Sequence, residues 1–204
     1  TTKGTVVRRV AIEIAEACGL QILQSELAEV ALDSCQPLPI RINAAYAVCQ
    51  MGDNATKASL KQLAIGEAGD DPEDELKGCG LLAVWPAHMT AEELFVVLTP
   101  PKRPTFGGAY LSFLSKRLVQ SLTPLVLPIA LKWVEEQAPV DDLPYIFEKL
   151  VNDIMLQAWE HLDSPEVLEA FSRALLTHLK HYRSITSLKS ALSENDGKRH
   201  RVLE

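Results

Sequence analysis

Three segments of the chain open a predicted helix with the same short pattern. They begin at residues 7, 40 and 76, so the copies lie 33 and 36 residues apart. In each copy a basic residue stands beside an apolar one, and a small residue follows three positions later. The basic residues are Arg8, Arg41 and Lys77, and the small residues are Ala11, Ala44 and Gly80. A repeat of this length predicts stacked helical hairpins, whose function resides on their surfaces rather than in one central cleft.

The apolar pattern predicts helices along the whole chain. Val7, Val10, Ala11 and Ile14 recur at three- and four-residue steps, which is the period of an amphipathic helix, and no alternating strand pattern competes. Capping residues mark several helix starts, with Thr90 and Ser164 among them. We therefore predict an all-α fold, an α-α superhelix of antiparallel hairpins. The predicted helices lie near residues 4–18, 22–34, 39–51, 55–68, 72–85, 90–98, 107–121, 124–137, 142–162 and 165–189.

Pairing these helices divides the chain into three parts. Residues 1–121 form the repeat array, residues 122–190 a helical continuation or cap, and residues 191–204 a polar tail with a vector-like end. The first helix has no partner before it, so we interpret it as the second half of a truncated unit. We expect the segment to be a piece of a longer protein.

Composition narrows the classes of partner. The chain has 20 Lys and Arg residues against 27 Asp and Glu residues, whereas phosphate binding needs clustered positive charge. Nucleic acid is therefore not the expected main partner. The apolar runs fall short of the roughly 20 residues of a membrane span, and we find no secretory signal. The four cysteines lack the C-x-x-C spacing of metal or redox pairs. We expect a cytoplasmic location, no membrane and no cofactor or metal.

Residues 7–85 resemble HEAT-like repeats. In that family the second helix of each unit tends to open with an apolar-Arg pair followed by small residues, as residues 40–45 do, and the unit closes on a turn with glycine, as residues 51–53 do. The resemblance implies a right-handed solenoid of the HEAT/armadillo type.

A second resemblance covers residues 82–86, 89–95 and 98–110. They look like the helical region that follows the nucleotide-binding module in large bacterial NACHT-type NTPases of the STAND class. That likeness implies a sensor or scaffold arm attached to an ATP-driven switch. The chain contains no Gly-x-x-x-x-Gly-Lys-Ser/Thr loop. The resemblance therefore assigns ATP binding to none of its residues.

The most unusual local feature is the loop of residues 99–108, which combines three prolines, two basic residues, an aromatic residue and a Gly-Gly pair. Such a loop suits partner binding. The interaction candidates are Lys102, Arg103, Phe106 and Tyr110. Alternatively, Phe106 and Tyr110 pack between units while the prolines stiffen a long connection.

The basic residues Arg8, Arg41 and Lys77 have a different predicted role. Stacked hairpins would align them in a structural ladder within reach of acidic turns such as that of Asp70 and Asp71. Elsewhere, the three-residue spacing of His178 and His181 fits either a metal site or a solvated basic face.

No set of residues in the sequence identifies a reaction. We therefore predict a non-catalytic scaffold or sensor region that mediates protein-protein interaction, with a protein or other domains of the parent chain as its partner. The alternative is a helical-repeat enzyme or nucleic-acid-binding module that uses the concave face.

Overall fold

Helices are the regular secondary structure of the part of the chain that is described. A computed structural model describes residues 2–103, 107–138, 143–181 and 196–203, and these residues contain no strand. The predicted all-α class is confirmed. Within the same residues, no helix combines the length and the apolar character that crossing a membrane would require.

The chain divides into two compact units, which we call unit 1 (Thr1–Phe113) and unit 2 (Leu114–Glu204). This division falls inside residues 107–121, which we predicted as a single helix. The helices of unit 1 are α1 (Thr2–Ala17), α2 (Gln24–Leu32), α3 (Leu38–Met51), α4 (Asn54–Ser59), α5 (Lys61–Ala64), α6 (Glu75–Val84), α7 (Ala91–Val97) and α8 (Gly108–Ser112). A 3-10 helix at Gln21–Leu23 precedes α2.

After α8 the chain forms a π-helix at Phe113–Arg117, so the predicted helix of residues 107–121 is in fact three short pieces. The helices that follow are α9 (Leu118–Gln120), α10 (Leu127–Gln137), α11 (Tyr145–Glu160), α12 (Pro165–Lys180) and α13 (Asp196–Leu203). Pro128 lies in the first turn of α10, where its missing N–H costs no helical hydrogen bond. The residues before it form a separate turn.

In unit 1, α2 packs on α3 and α5 packs on α6, while α1, α3 and α6 contact one another in that order. These are the contacts expected of two successive hairpins preceded by one unpaired helix. The longer superhelical arrangement remains a prediction.

The small residues of the repeat pattern differ in their surroundings. Gly80 lies against the backbone of α5, where an added Cβ would overlap the amide nitrogen of Ala64. Ala44 is fully buried in α3. Ala11, in contrast, is exposed on α1, because no described helix of unit 1 covers that side.

In unit 2, α10, α11 and α12 contact one another around aromatic side chains. The rings of Trp133 and Phe147 meet edge to face at 5.3 Å, and those of Trp159 and Phe171 lie 5.9 Å apart. Aromatic pairs of this geometry add stability beyond the area they bury.

Candidate functional site

The loop of residues 99–103 takes part in a partly buried polar cluster at the start of α6. We call Asp71, Asp74, Lys77, Thr99, Lys102 and Tyr110 the α6 cluster. Buried charges require partners, and every member of this set contributes a hydrogen bond or an ion pair. The cluster brings together two predicted interaction candidates and one ladder residue.

Asp71 caps α6 from outside the helix. Its carboxylate accepts hydrogen bonds from the backbone N–H groups of Leu76, at 3.2 Å, and of Lys77, at 2.9 Å. These are amides of the first helical turn, which have no partner within the helix. Asp71 therefore has a structural role at the acidic turn that the sequence singled out.

Asp74 anchors the loop. It is 1% exposed and adopts a left-handed backbone conformation, with φ of 57°, which aspartate tolerates better than most residues. Its Oδ2 accepts from the backbone N–H of Lys102 at 2.9 Å, and its Oδ1 lies 3.1 Å from the Lys102 ammonium. The same ammonium donates to the carbonyl oxygen of Asp71 at 2.6 Å. Lys102 thus holds the loop to the start of α6.

Lys77 is enclosed by the loop and by α8. Its ammonium donates to the Thr99 hydroxyl at 2.6 Å and lies 5.0 Å from the centre of the Tyr110 ring. Burial lowers the pKa of Lys77 to about 8, and the Asp74 carboxylate opposes that shift. Lys77 is therefore a structural cation that loses its proton more readily than an exposed lysine.

Tyr110 contributes to the α6 cluster from α8. It is fully buried, and its hydroxyl donates to the Thr99 carbonyl oxygen at 2.7 Å. Burial raises the pKa of its phenol above the ordinary value, so the hydroxyl remains a donor at physiological pH. This placement favours the packing alternative for Tyr110 over a surface role.

A second, partly buried contact joins α3, α6 and α8. The Glu75 carboxylate accepts from the Tyr46 hydroxyl at 2.9 Å and from the Ala109 N–H at 3.0 Å. Gly108 begins α8 with φ of 74°, and a Cβ there would overlap the Glu75 carboxylate. Burial, followed by the neighbouring Cys79 and Glu75, raises the pKa of Tyr46. Glu75 therefore fixes where α8 starts.

The remaining interaction candidates have different exposures. The Arg103 side chain is 56% exposed and pairs with Glu73 at 2.6 Å, and the Lys102 side chain is 54% exposed. Phe106 lies outside the described residues. Among the candidates that the structure describes, Arg103 is the one that a partner can reach without disturbing the α6 cluster.

The three ladder residues make three different kinds of contact. Arg41 is 3% exposed and donates from Nε to the Ala31 carbonyl oxygen at 3.0 Å. Arg8 is exposed and donates to the Gln36 side chain at 2.8 Å. Neither of these hydrogen bonds goes to Asp70 or Asp71. The acidic turn is instead held by Lys102, which the sequence placed among the interaction candidates.

Of the two histidines, His181 is exposed, whereas His178 does not lie on a solvated face. His178 is 3% exposed, and its Nε2 lies 3.0 Å from the Val134 carbonyl oxygen, so it is a buried structural residue of unit 2. Within the described residues, no group of three His, Cys, Asp or Glu side chains could hold a metal ion.

The sequence indicated helix capping for the acidic run that contains Asp74 and Glu75, but it did not predict their contacts with the loop and with α8. Both stand in an acidic run, where helix caps and solvated charges look alike, and only the returning loop and α8 distinguish them. Comparisons with known protein families, with curated proteins and with solved structures found no match.

Proposed function

We propose that this chain is a non-catalytic helical-repeat scaffold or sensor region that mediates protein-protein interaction within a larger regulatory NTPase-type protein. Its repeat part is proposed to be a HEAT-like superhelix, and its location the bacterial cytoplasm. The partner is a protein, or another domain of the parent chain.

One observation carries this proposal: α3 and α6 bury equivalent positions. Ile40 and Leu76 are both fully buried at the first apolar position of the pattern, and Ala44 and Gly80 are both buried at the small position. Each helix also packs on the short helices that precede it. Repeated units of this kind expose extended surfaces on which a partner can bind.

The charges of the chain favour a protein partner. Its formal net charge is −7, and the exposed Arg103 is paired with Glu73 rather than part of a basic stripe. Mixed charges on a surface provide orientation and specificity in protein association.

Cross-linking in cells tests the scaffold role. A tagged full chain is compared with Arg103→Glu, which reverses an exposed charge in unit 1, and with Arg117→Glu, the matched reversal at an exposed arginine of unit 2. We expect a defined cross-linked protein that Arg103→Glu weakens and Arg117→Glu retains. Equal cross-linking by all three chains would contradict a role for the loop, and no specific cross-link would contradict the scaffold.

The proposed attachment to an NTPase can be tested from the reading frame of the gene. A Gly-x-x-x-x-Gly-Lys-Ser/Thr loop encoded upstream in the same reading frame supports the switch, and a reading frame without one contradicts it. An electrophoretic shift with DNA or RNA at low salt that vanishes at moderate salt would favour the nucleic-acid alternative instead.

A further inference from the structure

Two cysteines that are far apart in sequence meet where α3 packs against α6. Cys49 lies in the last turn of α3 and Cys79 in the middle of α6, and 30 positions separate them along the chain. The Cys49 thiol donates a hydrogen bond to the carbonyl oxygen of Cys79 at 3.1 Å, and the two side chains also hydrogen-bond to each other. Both thiols are free. They are therefore a pair in the fold, although their spacing is not that of a C-x-x-C motif.

A second contact between the same two helices shows that the cysteines face each other. One turn earlier, the Tyr46 hydroxyl donates to the Glu75 carboxylate at 2.9 Å. Tyr46 precedes Cys49 by three residues, and Glu75 precedes Cys79 by four, so each pair lies on one side of its own helix. The two helices thus run in the same direction along this contact, with both thiols at one level of it.

Close packing on both sides of Cys79 holds this part of α6 in place. An added Cβ at Gly78 would overlap the backbone of Tyr110 in α8, and one at Gly80 would overlap the backbone of Ala64 in α5. Backbones that approach so closely leave α6 little room to rotate or slide, because the interior is close-packed. Cys79 is accordingly fixed in its position beside the end of α3.

The two thiols differ in their access to solvent. Cys79 is 0% exposed, whereas Cys49 is partly exposed. The hydrogen bond with Cys49, followed by burial, raises the pKa of the Cys79 thiol, so Cys79 stays protonated and out of reach of reagents in solution. Cys49 is therefore the sulfur that a small oxidant contacts first, and Cys79 is the sulfur placed to react with the product.

We propose that Cys49 and Cys79 form a reversible disulfide between α3 and α6 when the chain reacts with hydrogen peroxide. The Cys49 sulfur attacks one peroxide oxygen, the O–O bond breaks, and a sulfenic acid and a water molecule form. The Cys79 sulfur then attacks the Cys49 sulfur and displaces its hydroxyl, which leaves as water with the Cys79 proton. The two thiols lose two electrons, and the peroxide is reduced to two water molecules. A thiol reductant reverses the bond by thiol–disulfide exchange.

This disulfide fastens one hairpin of unit 1 to the next. Cys49 belongs to the hairpin of α2 and α3, and Cys79 to the hairpin of α5 and α6. Linking residues 30 positions apart restricts the unfolded chain, so the oxidised chain is more stable than the reduced chain. The inference concerns the response of the fold to oxidation and does not depend on the proposed scaffold function.

Mild oxidation of the folded full chain tests the pairing. The chain is treated with hydrogen peroxide, remaining thiols are alkylated, and disulfide-linked peptides are identified by mass spectrometry. We expect the peptide that joins Cys49 to Cys79 to exceed every other pairing by about tenfold or more, and to disappear with dithiothreitol. The same treatment in urea is the control and should favour Cys35 with Cys49, because the shorter loop closes more readily. Oxidation of Cys49 in the folded chain without the linked peptide would overturn the proposal.

A chain that carries Cys18→Ser and Cys35→Ser isolates the effect on stability, since both replaced residues are exposed. Its melting temperature is measured before and after oxidation. We expect a rise of about 4 °C or more, which dithiothreitol reverses. The matched control adds Cys49→Ser, which keeps a donor for the Cys79 carbonyl oxygen, and it should show no rise. An oxidised chain that melts at the same temperature as the reduced chain, or below it, would overturn the link between the hairpins.

Discussion

The Nε atom of Arg41 donates to the carbonyl oxygen of Ala31 at 3.0 Å, which ties the first turn of α3 to the last turn of α2. Both residues are buried, so neither group can obtain a replacement partner from water. This contact joins the two helices of one hairpin through a residue of the repeat pattern.

Replacing Arg41 should therefore destabilise unit 1. We expect Arg41→Met to cost about 2 kcal/mol of unfolding free energy, because a charged donor is lost and a buried carbonyl oxygen is left unpaired. Urea denaturation measures the change. Arg9→Met is the control, since the Arg9 side chain is 52% exposed in an ion pair with Glu13, and it should cost less than about 0.5 kcal/mol. Equal losses would contradict a special role for Arg41.

Gly80 should not tolerate even the smallest substitution without a loss of stability. A Cβ at this position overlaps the backbone of Ala64, so Gly80→Ala must push α5 and α6 apart, and we expect a net loss of roughly 1–3 kcal/mol despite the better helix propensity of alanine. Circular dichroism melting reports the loss. Gly107→Ala serves as the control because nothing lies within 4 Å of its Cβ position. If Gly80→Ala left stability unchanged, the two helices would not be in contact at this position.

Thr90 and Ser164 both precede a helix, but replacing each by alanine should change stability by different amounts. The Thr90 hydroxyl accepts from the Glu93 N–H in a complete capping box, whereas Ser164 donates to the Glu166 carboxylate and caps no backbone amide. We expect Thr90→Ala to cost about 1 kcal/mol and Ser164→Ala less. Thermal denaturation of the two variants distinguishes them, and the reverse order would contradict the assignment.

The pattern of residues predicted most helices, the Thr90 cap and the small residues buried in α3 and α6, because these depend largely on neighbours in sequence. Thr90 and Gly80 were both recognised in this way. The α6 cluster was not, because it depends on the loop of residues 99–103 returning to α6. The sequence left both a surface role and a packing role open for Tyr110 for the same reason: its burial is decided by residues more than ten positions away along the chain.

The buried ammonium of Lys77 should make stability depend on alkaline pH. Its folded pKa of about 8 lies below the ordinary 10.5, so the folded chain binds fewer protons than the unfolded chain between these values. Stability should accordingly rise with pH across that window, until ionisation of Tyr46 and Tyr110 in the unfolded chain opposes it above about pH 10. Asp71, Asp74 and Lys102 are the other charged groups around the ammonium.

Lys77→Met removes this dependence. Urea denaturation between pH 7 and 10 should show that the stability of the native chain, relative to Lys77→Met, increases with pH. Lys61→Met is the control, since Lys61 forms an accessible ion pair with Glu93, and its profile should run parallel to that of the native chain. Parallel profiles for Lys77→Met as well would contradict the buried charge.

The central claim is that α3 and α6 hold equivalent places in a repeat, so that Ile40 and Leu76, both fully buried, fill the same position in their hairpins. Urea denaturation of Ile40→Ala and of Leu76→Ala tests it most directly, with Val96→Ala as the control, because Val96 is 81% exposed. We predict that the first two substitutions each cost about 2–5 kcal/mol of unfolding free energy, and that Val96→Ala costs less than about 0.5 kcal/mol. A large loss at only one of the two buried positions would contradict the account.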